Sequence, residues 1–177
     1  FDLSKDLNLK YQASSPNLLV SYIKINSGEN IKISSVASSN GFYIIQGEGI
    51  CKINKDELIN WNQGDLFVLP KINKIILESK NIDTIIFWYN DEPLMKYLNV
   101  IPLEPSFKPS FFSSQIMLQR INEIKNMDNS EQKNRTGILL GNETTEETGT
   151  LTLTPTLWTL YNVLPPYTVQ KPHRHNS

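Results

Sequence analysis

The chain has 177 residues, enough for one domain and part of another, with 39% hydrophobic residues, 20% charged residues and a net charge of −1. That balance excludes the clustered lysine and arginine of a nucleic-acid-binding face, and no apolar run reaches the roughly 18–20 residues of a membrane-spanning helix. The single cysteine, Cys51, has no partner for an internal disulfide, which fits a reducing, cytoplasmic setting.

Taken in chain order, residues 17–89 read as short strands separated by turn signals. Residues 18–25 alternate apolar and polar and form the first strand. Gly28-Glu29-Asn30 turns into a strand over 31–36, and Ser38-Ser39-Asn40-Gly41 turns into another over 42–46. Gly47-Glu48-Gly49 is a tight turn before a strand over 50–53, in which Cys51 is a half-buried residue. Residues 54–56 form a hairpin tip and 57–61 the returning strand. Gly64-Asp65 opens a strand over 66–69 that Pro70 stops, and strands over 74–78 and 83–89 complete the set. Strands this short at this turn density point to an all-β sandwich or barrel, not to βαβ units.

Beyond residue 90 the pattern changes. Residues 92–98 carry one or two helical turns, and Pro102, Pro105 and Pro109 make 101–109 an extended linker. Phe112, Ile116, Met117, Ile121 and Ile124 fall on helical spacing and predict a helix over 110–127, expected to pack on the barrel or bridge two barrels. Residues 128–134 read as a loop, 137–149 as irregular, and 150–164 as β-like. Trp61, Trp88, Trp158, Tyr43, Tyr89 and Tyr161 read as core or interface residues, since no basic stripe accompanies them.

Two blocks carry a family resemblance. Gly64-Asp65-Leu66-Phe67-Val68-Leu69-Pro70 resembles the second cupin motif, and residues 41–49 resemble the end of the first. The resemblance implies a jelly-roll barrel. In that family the first motif supplies a His-x-His pair and a Glu, and the second supplies a third His. Alternate strand residues share a face, so such a pair enters the barrel interior together. Aligned on the motif glycines, the two His positions here are Ser34 and Val36, the Glu position is Asn40 and the last His position is Ile75. No histidine precedes His173, so no metal is expected in the N-terminal barrel.

Both histidines lie in Lys171-Pro172-His173-Arg174-His175-Asn176-Ser177. Together with residues 135–142 and 149–158, this segment resembles the start of the second barrel of gentisate 1,2-dioxygenase-like bicupins, whose relatives include 1-hydroxy-2-naphthoate and salicylate dioxygenases. The resemblance implies that His173 and His175 are metal ligands, with a third His beyond Ser177; the other reading is a surface or tag-like pair. It further implies Fe(II), with Mn, Ni or Zn as alternatives, a small aromatic acid as substrate, and a homodimer or homotetramer. Arg174 would point away from the metal by strand alternation, and Gln170 and Asn176 could orient the ligands.

The expected layout is an N-terminal cupin barrel over 1–98, a linker with a helix over 99–134 and the start of a second cupin domain over 135–177. A chain stopping two residues after such a pair is expected to be a fragment, a designed truncation or a chain with unobserved ends. The expected function is that of a ring-cleaving Fe(II) dioxygenase when complete, inactive as this chain alone. The alternatives are a non-catalytic module for small-ligand binding or oligomerisation, and a non-oxygenase metal cupin such as an isomerase or a Mn-dependent decarboxylase.

Overall fold

A computed structural model describes residues 1–53, 57–126, 136–147, 149–164, 166, 167 and 169. The hairpin tip expected at 54–56 and the loop expected at 128–134 lie outside them. Nine strands form two antiparallel sheets. The first holds, in spatial order, β1 (Leu19–Ile25), β8 (Thr84–Asn90), β3 (Asn40–Gln46), β6 (Leu66–Leu69) and β9 (Ser110–Phe112). The second holds β2 (Asn30–Ile33), β7 (Ile75–Ser79), β4 (Gly49–Lys52) and β5 (Leu58–Trp61). Chain neighbours are repeatedly split between the two sheets: β1 pairs with β8, β2 with β7 and β3 with β6. This is the jelly-roll arrangement, and the fold is all-β with short helices.

The two sheets close on one hydrophobic core. Ile23, Phe42, Ile44, Phe67, Leu69 and Ile86 meet Cys51, Trp61, Ile75 and Leu77 across it. Four aromatic rings stack through this interior, one after another. Trp88 lies on Phe42 (centroids 5.9 Å, 4°), Phe42 on Phe67 (4.9 Å, 16°) and Phe67 on Trp61 (5.9 Å, 15°). Each such side chain removed from water is worth roughly 1.5–3 kcal/mol, and ring pairs add about 0.5–1.5 kcal/mol.

The outer face of the first sheet carries a second core. Leu66 and Val68 of β6 meet Phe107, Met117, Leu140 and Leu153 there. Strand β6 is therefore buried on both faces, which is why Leu66-Phe67-Val68-Leu69 is a continuous apolar run without alternation. Helix α2 (Ser114–Asn126) supplies Met117 to this cluster, and β10 (Thr136–Leu140), paired with β11 (Thr159–Val163), supplies Leu140. The helix thus packs on the barrel, one of the two placements expected for it, and also touches β10.

Several local expectations are corrected. Residues 110–112 are strand and not helix, because Ser110, Phe111 and Phe112 pair with Val68, Phe67 and Leu66 along the open edge of β6. Helix α2 starts at Ser114, where the Ser113 hydroxyl accepts the Ile116 N–H at 3.3 Å and the Asp65 carboxylate accepts the Ser114 N–H at 2.8 Å. Of its expected apolar face, Met117 and Ile121 are buried while Ile116 is exposed. The span 137–149 is not irregular: it holds most of β10 and the short helix α3 (Glu143–Glu147), whereas strand within 150–164 is confined to β11. Trp158 is exposed, unlike the other tryptophans. Residues 92–98 form helix α1 (Glu92–Leu98) as expected, ended by Asn99 in the left-handed region.

The turn Gly47-Glu48-Gly49 uses its glycines for two different reasons. Gly47 has φ +99°, which favours glycine, whereas at Gly49 a Cβ would collide with the Glu78 carbonyl and the Trp61 ring. Cys51 is fully buried, beyond the half-burial expected of it.

Candidate functional site

The four positions matched to cupin ligands do not converge. Ile75 faces the interior and is 1% exposed, paired across the sheet with Ile33 of β2. Asn40 is also buried; its amide donates to the Pro70 carbonyl (3.2 Å) and its Oδ1 accepts from the Trp88 indole (3.3 Å). Ser34 and Val36 lie beyond the end of β2 and are exposed. Strand alternation makes Ile33 the inward residue of this segment, so the motif alignment was one residue out of phase. Ser35, the next residue in that phase, turns its hydroxyl to Glu92 Oε2 at 3.1 Å. The interior that ligands would occupy is filled by Ile33, Ile75 and the aromatic stack. Among the described residues, no three His, Cys, Asp or Glu side chains come together.

His173 and His175 lie outside the described residues, as do Gln170, Arg174 and Asn176. What the structure does place is the stretch before them. Asp91, 1% exposed, sits at the start of α1 but makes no capping bond to that helix. Its carboxylate is committed elsewhere. It accepts the N–H groups of Ser38 (2.8 Å) and Ser39 (3.0 Å), the Ser38 hydroxyl (2.5 Å) and the Thr156 hydroxyl (2.7 Å). The Thr156 hydroxyl also lies 2.8 Å from Ser39 Oγ. One turn of chain further on, the Tyr89 hydroxyl meets Thr159 Oγ1 at 3.2 Å. A buried carboxylate with this many donors makes strong, directional bonds, and here they clamp the 150s segment onto the end of the barrel. Sequence reading missed Asp91; its position directly before Glu92-Pro93 signals a helix cap, a role its side chain does not take.

Two titratable groups are shifted by enclosure. Burial, with the Glu57 charge adding to it, pushes the Cys51 thiol up to about 12, so it is a neutral core side chain and no nucleophile. Burial likewise raises Tyr89 above the usual phenol range, against the opposing hydrogen bond with Thr159.

No protein-family model and no curated protein matches the sequence. Solved structures similar to the chain include salicylate 1,2-dioxygenase from Pseudaminobacter salicylatoxidans, 20% identical over 54% of this chain and 25% of that one, with a TM-score of 0.42. An RmlC-like cupin family protein with a double-stranded β-helix fold, from Methanocaldococcus jannaschii, is 22% identical over 50% of this chain and 82% of that one (TM-score 0.43). A cupin superfamily protein from Desulfitobacterium hafniense is 18% identical over 45% and 71% respectively (TM-score 0.39). The chain therefore matches about a quarter of the length of the dioxygenase. The fold assignment rests on the strand order and register given above.

Proposed function

We propose that the N-terminal barrel is a scaffold and that the chemistry of the complete protein belongs to the segment carrying His173 and His175. The observation that supports this reading most is a barrel interior filled by hydrocarbon, followed in the same chain by a His-x-His pair. Two imidazoles one residue apart on an extended segment share a side and suit Fe(II), Mn, Ni or Zn, provided a third ligand joins them. On the motif resemblance, the metal is Fe(II) and the reaction is ring cleavage of a hydroxylated aromatic acid. Bound iron supplies the redox chemistry of that reaction. The scaffold's own contribution is positional: Asp91 and Thr156 fix the stretch of chain that leads to the histidines.

Metal analysis of the complete protein tests the assignment, with stoichiometric iron expected and its loss expected in a His173→Ala/His175→Ala double variant. Oxygen uptake over a panel of hydroxybenzoates then identifies the substrate. Iron retained by the double variant would overturn the ligand assignment, and a metal-free complete protein would leave the non-catalytic module as the reading. This 177-residue chain alone is expected to consume no oxygen with gentisate or salicylate, since two histidines leave iron under-coordinated.

A further inference from the structure

We draw no further inference here: the strongest candidate, the surface patch of exposed apolar side chains Tyr97, Leu98, Val100, Ile101 and Leu103 where helix α1 passes into the proline-rich linker, is an unpartnered face, and nothing in the structure shows what covers it.

Discussion

The two faces of the five-stranded sheet are held by different kinds of force. The inner face closes on hydrocarbon and stacked rings, and among the described residues the buried Trp61 indole N–H has no hydrogen-bond partner. The outer face has apolar contacts too, but its added elements are fastened by buried polar groups. Asp65 holds the start of α2, Asn142 Nδ2 reaches Ser110 Oγ at 2.7 Å, and Asp91 holds Thr156. Apolar burial is non-directional and tolerates changes of similar volume. Bonds to a buried carboxylate are directional, and removing one partner strands the others. The inner face therefore sets how stable the barrel is, while the outer face sets where the following chain sits.

The sharpest way to break this contrast begins inside. Phe67→Ala removes the ring between Phe42 and Trp61 and is expected to cost about 3–5 kcal/mol, read as a lower urea midpoint for the whole domain. A loss confined to the β10–β11 layer would contradict the division. Asp91→Ala comes next, at about 3 kcal/mol, because the Ser38 and Ser39 N–H groups and the Thr156 hydroxyl lose their acceptor. Here hydrogen exchange is expected to quicken at 156–163, with β1, β3 and β8 amides protected as before. Uniform loss of protection would show that the clamp is part of the barrel itself.

The smallest effect is a titration. The Cys51 thiol has its folded value raised from 9.0 to about 12 by burial, then Glu57. Its contribution to stability is present in full below about pH 9 and is lost as pH rises toward about 12, since only the unfolded chain ionises in that window. The slope is at most about 1.4 kcal/mol per pH unit. Urea midpoints between about pH 8.5 and 9.5, below the ordinary tyrosine value of 10.0, are expected to fall for the native chain. They are expected to stay nearly level for Cys51→Ala; an equal slope in both would assign the effect to another group.

Much of the barrel was legible in the sequence because its cause is local. The apolar run at Leu66–Leu69 and the proline-led helix at Glu92–Leu98 were read with their observed bounds, and most other strands came within a few residues. Those signals are periodicity, turn glycines and prolines, which act over a few residues. The rest depended on partners distant in the chain. Ser110–Phe112 has helical spacing, yet it is strand because the edge of β6 offers it a ladder of hydrogen bonds. The phase of β2 was misjudged by one residue because only the packing of Ile33 against the core decides which side faces in. Asp91 and Thr156 are 65 residues apart. The amino-acid sequence by itself determined that these strands form and that the barrel carries no histidine. Only the tertiary structure decided which carboxylate becomes a clamp, because that depends on groups that meet only after the two sheets have closed.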